Sequence, residues 1–585
     1  MKKRFSENLG IVPRFYEFGD VDKVFFYSNH GDTAESESGI VFKSGFLRSL
    51  DSQPLSAQNI LEQKLIGPDS VNQLEFTGNA LLVLLSKKNP AFSIYKTLLS
   101  LPQLFYSISK DEIICSDRLN CLVRTLPHVE LNEDILPMHF LYRIVMGPLT
   151  HFRDIHRLMS GQFMRWKEGV INFQLLRDFR FEEREPRIRR IDESSLDMIY
   201  GSLRKVISDA VRQISISGQG LASLMSGGVD SSLIQVILNE ITPGGNFPSF
   251  SFNPNAPCFA PEIGYLREGL AFFQTKHTFV DLDLEKFPDL IKHSASNLAQ
   301  PPSLASLTAL EAIAQFVKEN HVPIRYFTSG QGGDSVWGTP PIRNAKILNE
   351  ISRIPMASSM LKFLGKTLKS VYSGAEILTK RSEKLNNWRN PHSPLSPVNT
   401  LDVYIELEDA LELFGEKQLL GAMEYRFNLS RQYLNTDHLL EQLMVIDLLT
   451  DCYEQTNQQN LLYMAHNTEI VCPYLDEEIV ELPYRFEPDI RYIKGFNNKR
   501  VKYLLKSLLQ RRADLSTIWK PKRATTFHED LFEWMRDGSL KPLIHEIDLP
   551  GFLSKDRFEK MTRNPDMFLW ELLSYDIFKK SVSSN

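Results

Sequence analysis

Residues 221–232 read LASLMSGGVDSS, and their types suit the binding of a polyphosphate. Ser226, Ser231 and Ser232 supply hydroxyl donors, and Asp230 offers a hard carboxylate oxygen of the sort magnesium prefers. Gly227 and Gly228 carry no Cβ, so the backbone can close on an anion. Successive N–H groups in such a loop, with the start of a following helix, form a nest for phosphate oxygens. That chemistry needs a strand before the loop and a helix after it. The flanks supply both: the apolar run Leu221–Met225 precedes it, and Leu233, Val236 and Ile237 recur at helical spacing beyond it. The spacing matches neither GxxxxGK[ST] nor GxGxxG. An ordinary glycine turn between a strand and a helix is the alternative.

A second glycine loop, Ser329-Gly330-Gln331-Gly332-Gly333-Asp334, follows the strand-like run Ile324–Thr328. Ligands of an open parallel sheet collect at the carboxyl ends of its strands. Two such loops, each ending in an aspartate, predict one magnesium ion held between Asp230 and Asp334, bridging the phosphates of one ATP. A glycine-rich surface turn is the alternative for the second loop. His466 has no second metal ligand at a suitable spacing and is read as packing.

The elements that must position these loops come from the periodicity. The first 180 residues are rich in strand-like runs, among them Gly39–Leu47, Ala80–Ser86 and Phe92–Thr97. Leu104–Ser109 and Glu112–Ser116 read as the arms of a hairpin around Lys110-Asp111. An Arg-rich stretch at 180–190 reads as a linker. From Ser195 the period becomes helical, with Ile199, Leu203, Val206, Ala210, Val211 and Ile214, and stops at Ser217-Gly218. Strands and helices then alternate: a strand around Phe250 and Phe252, a helix at Pro261–Thr275, a strand at His277–Val280 and a helix at Leu307–Lys318. This is the pattern of a doubly wound α/β parallel sheet. Beyond about 340 the chain reads mainly helical, with a loop at 390–399; the basic stretch Lys362–Arg389 reads as an exposed helix face.

Bulk properties narrow the class. At 585 residues the chain holds two to four domains, and 42% hydrophobic content is that of an ordinary globular protein. A formal charge of −5 provides no global basic field for a nucleic acid. The five cysteines, Cys115, Cys121, Cys258, Cys452 and Cys472, are too few and too scattered for a disulfide framework or a zinc module. The start MKKRFSENLG has no apolar segment behind it, and no run approaches a membrane span. The expectation is a cytoplasmic enzyme with neither membrane nor nucleic-acid partner.

The first loop resembles the SGGxDS signature of the ATP pyrophosphatase family, whose members adenylate a substrate and release pyrophosphate. Taken with SGQGGD and with MAHNTEIVCPYLDEEIVEL at 464–482, it resembles the synthetase half of the asparagine synthetase family. Members read MAxSLEVRVPFLD in the third block, so Glu469, Pro473, Leu475 and Asp476 match. Val471 replaces the arginine of that pattern, and Gln331 replaces the glutamate of amidotransferring members; both departures count against a small-molecule aspartate pocket. FYSISKDEIICSDRLN at 105–120 and GPLTHFRDIHRLMSGQFM at 147–164 resemble the family's glutaminase half, an Ntn-hydrolase-like sandwich. Its nucleophile is a cysteine at position two, where this chain has Lys2, so no glutamine splitting is expected.

The domains expected are therefore a degenerate glutaminase-like unit at 1–185 and an adenylating unit at 190–585, with a variable helical region at 340–450. The motifs Ala299-Gln300-Pro301-Pro302, GQGGDSVWG at 330–338 and Trp519-Lys520-Pro521-Lys522-Arg523 resemble the lasso-peptide macrolactam synthetases. The resemblance implies that Leu224, Ser226, Gly227, Gly228, Asp230, Ser231, Ser232, Phe252, Ser329 and Gly330 bind ATP, and that Gln331 contacts substrate. It implies that Lys522 stabilises negative charge on the adenylate and in acyl transfer. Glu469 could assist deprotonation of the attacking amine or close a buried ion pair. The substrate implied is a ribosomal precursor peptide, with a leader peptidase and a leader-binding protein as partners. The rivals are a β-lactam-type synthetase, an ammonia-using asparagine synthetase and a non-catalytic ATP- or peptide-binding scaffold.

Overall fold

The computed structural model describes residues 14–18, 22–27, 31–49, 51–62, 76–87, 91–109, 112–167, 170–179, 187–242, 244, 247–253, 260–273, 275–338, 351, 359–360, 396–434, 436, 438–491, 502–519 and 528–583. The N-terminal part is two facing sheets. One has the order β1 (Arg14–Phe18), β2 (Asp22–Tyr27), β8 (Glu112–Ser116), β7 (Phe105–Ser109), β9 (His156–Arg157). The other runs β11 (Val170–Leu175), β10 (Gln162–Lys167), β6 (Ala91–Lys96), β5 (Phe76–Ser86), β4 (Gly39–Ser49), β3 (Asp32–Glu35). Pairing is antiparallel except between β2 and β8. The expected hairpin is β7–β8, with Ser109 opposite Glu112.

Strand β5 shows why its sequence is an unbroken apolar run. Side chains alternate across a strand. Leu81, Val83 and Leu85 enter the core between the sheets with Phe26, Phe42, Ile94 and Met164. Ala80, Leu82 and Leu84 face the other way and are covered by the short helix Ala57–Glu62.

The C-terminal part is built on a five-stranded sheet in the order β14 (His277–Asp281), β13 (Ser249–Asn253), β12 (Leu221–Leu224), β15 (Tyr326–Thr328), β16 (Glu469–Val471). All four pairings are parallel. Strand β16, from the third block, was not among the strands expected from periodicity. Its three residues are too few to show a period. The long helix before β12, α1, spans Glu193–Ile216, and Asp192 caps it by accepting from the Ser195 amide. Ile199, Leu203, Val206, Ala210 and Ile214 are buried as the spacing predicts, and Val211 is half-buried.

The connecting helices are α2 (Val229–Ile241), α3 (Ala260–Phe273), α4 (Ala305–Glu319), α5 (Gly333–Trp337), α6 (Asp451–Ala465), α7 (Glu477–Glu481) and α8 (Tyr503–Arg512), with α9 (Met567–Ser583) near the end. Helices cover both faces of the sheet. Phe327 packs edge-on against Tyr463 of α6, whereas Ser223, on the opposite face, bonds Gln235 of α2.

The two parts share one continuous apolar cluster that runs from Leu98 to Phe578. In the 390–399 segment read as a loop, Pro397–Thr400 is instead one helical turn. Proline is tolerated at a first helical position, where its missing N–H has no partner to lose. The basic stretch Lys362–Arg389 lies outside the described residues. Among the described residues no helix is long and apolar enough to cross a membrane.

Candidate active site

The first loop leaves β12 at Leu224 and enters α2 through Gly228, the N-cap, with φ −78° and ψ 162°. Gly227 carries the conformational burden: its φ is +72°, and a Cβ there would meet the Leu266 amide nitrogen at 2.7 Å. Inside the loop Ser226 and Ser231 face one another, their hydroxyls 3.2 Å apart. Ser232 is buried on α2, so its side chain turns inward.

The second loop follows β15 and lies against the first. A Cβ on Gly333 would sit 2.7 Å from Asp230 Oδ1, so glycine there lets the loops touch. Asp230 and Asp334 are thereby brought to one point, and that point is a lysine ammonium. Lys502 Nζ lies 2.5 Å from Asp230 Oδ2 and 2.6 Å from Asp334 Oδ1. Burial alone would lower the Lys502 pKa, but the two carboxylates outweigh it and raise it above the ordinary lysine value. The third block braces the loop, since Tyr474 Oη donates to the Asp230 carbonyl at 3.2 Å.

At the mouth of this pair opens a cavity of about 190 Å³ at the carboxyl ends of β12, β13 and β15. Leu224, Ser226, Asp230, Ser231, Phe252, Ser329, Gly330, Gln331 and Asp334 all line it. Gly227, Gly228 and Ser232 shape the loop and the helix start without lining the cavity. A groove of about 980 Å³ between residues 400–412 and 554–568 is larger, yet contains none of the glycine-loop residues.

A profile described as Asparagine synthase matches residues 202–577. The chain belongs to the asparagine synthase family. Asparagine synthetase [glutamine-hydrolyzing] 1 of Bacillus subtilis (strain 168) is 21% identical over 472 residues, covering 77% of this chain and 68% of that protein. A probable asparagine synthetase [glutamine-hydrolyzing] of Acanthamoeba polyphaga mimivirus is 26% identical over 152 residues, 25% of this chain and 26% of that protein.

Within this asparagine synthase family site, the donor set around Lys502 suits a divalent ion. Two carboxylate oxygens converge within bonding distance of one cation, and Asp334 is half-exposed, with its side chain 53% accessible. Hard oxygen donors beside solvent are what magnesium takes. Asp230 and Asp334 would hold it, and when bound it would neutralise charge on the phosphates.

The structure does not bring Glu469 to the cavity. It opens β16, at the amino end of the sheet, and pairs with Arg325 at 2.9 Å. The ligands gather where the strands end, and Glu469 stands where one begins. Lys522 lies outside the described residues; Trp519, just before it, donates from Nε1 to Gln510 Oε1 at 2.9 Å. His466 is partly buried and pairs with Glu311, Nε2 to Oε1 2.8 Å.

Sequence reasoning missed Lys502 and the cavity residues Glu262, Ser306 and Gln459. Lys502 did leave a trace. It precedes the apolar pattern of α8 and caps that helix with φ +54°, although a cation at a helix N-terminus opposes the dipole. Such local misfits mark functional positions. A further carboxylate group, Asp402, Asp447 and Asp451, lies outside the cavity and was not expected either. Arg426 stands 3.9 Å from Asp402 and Arg143 3.8 Å from Asp451, so guanidinium charge already serves it.

Proposed function

We propose that the chain is an ATP-dependent amide ligase that adenylates an Asp or Glu side-chain carboxylate of a precursor peptide. The peptide's own N-terminal amine then closes a macrolactam ring. The observation that supports adenylation is the convergence of both glycine loops on one cation, beside a cavity that both loops line. In the first step a carboxylate oxygen attacks the α-phosphorus of ATP, the bond to the bridging oxygen breaks and pyrophosphate leaves. Ser226 and Ser231, which line the cavity, and the Lys502 ammonium would bind the departing charge, and preorganised donors of this kind lower the barrier. In the second step the amine attacks the acyl carbon, the bond to AMP breaks and the nitrogen loses a proton. A substrate that carries both groups gains by proximity.

Two features support a peptide over free aspartate. Gln331 presents a neutral amide to the cavity where amidotransferring members carry a glutamate. The lasso-type motifs at 299–302, 330–338 and 519–523 support the same choice. A leader peptidase and a leader-binding protein would act with the chain. Asparagine formation is the second reading, favoured by the names of the relatives. Incubation with ATP, Mg²⁺ and a leaderless precursor peptide should yield AMP and a peptide one water lighter. Ready asparagine formation from aspartate and ammonia, with no peptide product, would replace the proposal.

A further inference from the structure

An edge strand exposes backbone N–H and C=O groups that another strand can pair, and natural sheets guard such edges with charge, brevity or cover. The three sheets have six described edge strands: β1, β9, β11, β3, β14 and β16. Five of them carry a charged residue: Arg14 and Glu17 on β1, Arg157 on β9, Asp32 and Glu35 on β3, Asp281 on β14 and Glu469 on β16. Strand β11, VINFQL, carries none over its six residues. It pairs with β10 on one side, and no described strand pairs with the other. It also lies in the open, with Val170 57% and Phe173 44% exposed.

Phe173 stands opposite Met164 and Ile171 opposite Trp166, both in the core between the sheets. Ile171, Phe173 and Leu175 therefore share the inner face, and Asn172 and Gln174 the outer one. Beside Phe173 opens a groove of about 590 Å³, lined from the other sheet by Tyr106 and the exposed Ile108 of β7. None of its lining residues is an acid, a lysine or an arginine. Unpaired backbone next to a charge-free groove asks for a strand that is itself uncharged and apolar on one face.

We infer that β11 pairs antiparallel with β11 of a second copy of this chain, joining two six-stranded sheets into one across a two-fold axis. An axis perpendicular to the sheet keeps the inner faces on one side, so opposed residues must point to the same face. Centred on Phe173, the pairing sets Phe173 against its own counterpart, Ile171 against Leu175 and Asn172 against Gln174. Apolar side chains then meet within and amides meet outside, with no like charges opposed. The second copy's Phe173 comes to the mouth of the groove beside Tyr106 and Ile108. The strand is thus complementary to itself, and none of the five charged edges has that property over its length.

Sedimentation equilibrium of the full chain should give twice the chain's mass, with reversible dissociation on dilution. Asn172→Lys puts a lysine on the exposed edge and should raise the dissociation constant about tenfold or more, with the circular dichroism spectrum unchanged. Cysteine cross-linking reads the register. Under oxidised glutathione Phe173→Cys should form an interchain disulfide that wild type does not, since directly opposed Cβ atoms lie about 4.5–5.5 Å apart. Val170→Cys, although more exposed, should cross-link far more slowly, because its counterpart lies six residues along the strand, roughly 20 Å away. A monomeric wild type overturns the inference. So does a dimer that Asn172→Lys leaves intact, or cross-linking through position 170 at least as fast as through 173. A monomer whose β11 amides become protected from hydrogen exchange when the precursor peptide is added also overturns it, and makes that peptide the occupant.

Discussion

Lys502 Nζ occupies the point between Asp230 and Asp334 where a metal ion was expected from the sequence, so one residue must be asked what it does with and without that ion. A lysine holding two carboxylates keeps the two loops together. Lys502→Met removes that cation and leaves two acids facing each other. AMP formation should fall about a hundredfold, the usual loss when a preorganised charge at the reacting phosphates is deleted. Magnesium should then raise the melting temperature of the variant more than that of wild type, since the ion replaces the missing charge; differential scanning fluorimetry with and without Mg²⁺ reads this. Glu469 is the contrasting case. Tied to Arg325 at the start of β16, it should behave as an ion-pair residue. Glu469→Gln is expected to lower stability by about 1–3 kcal/mol while kcat and its pH profile stay within about twofold. A kcat loss beyond tenfold would place it in the chemistry.

At the scale of elements, one guanidinium ties the sandwich to the segment that braces the first glycine loop. Arg48 of β4 holds Asp476 with two bonds of 2.8 and 2.7 Å and approaches Asp209 of α1 at 3.6 Å and Glu478 of α7 at 3.4 Å. Asp476 also caps α7 by accepting from the Glu478 amide. Two residues earlier, Tyr474 braces the Asp230 carbonyl. The matched Asp476 of the third block thus acts through position, as a joint between sheets. Arg48→Ala strands buried carboxylates, and a loss of about 3–5 kcal/mol is expected by urea denaturation. KM for ATP should rise with it. Asp476→Asn should couple strongly to Arg48→Ala in a double-mutant cycle, because the pair share both bonds.

For the whole molecule, the seam between the N-terminal part and helix α9 buries titratable groups that respond to pH. His139 and Glu571 are fully enclosed, Nε2 and Oε2 3.9 Å apart, and His151 packs on His139 at 5.2 Å. Burial pushes the His139 pKa down to about 3. The native state therefore holds this ring neutral while the unfolded chain protonates near pH 6.5. Its contribution is complete above about 6.5 and is lost as pH falls toward 3. From this residue alone, stability should drop by about 2 kcal/mol between pH 7 and pH 5. Urea midpoints at the two pH values measure it, and His139→Phe should flatten the slope.

The two glycine loops were legible because each is a run of consecutive residues between elements with a clear period. Everything their chemistry needs locally, glycines, hydroxyls and an aspartate, lies within six positions. The alternation of strands and helices declared the parallel sheet for the same reason, since a period of two or of 3.6 shows within a few residues. The three-residue β16 had no such local record, and the cation at 502 left only a charge at odds with the helix it starts. Glu262, Ser306, Gln459 and Lys502 are common residue types drawn from four separate helices or their caps, and nothing about a glutamine in a polar helix says that its carbonyl will be enclosed beside a cavity. Local order determined that this chain carries paired glycine loops on a doubly wound sheet. The tertiary structure alone decided which cation they share and which carboxylates merely brace the joint, because burial and pairing depend on residues hundreds of positions apart meeting in space.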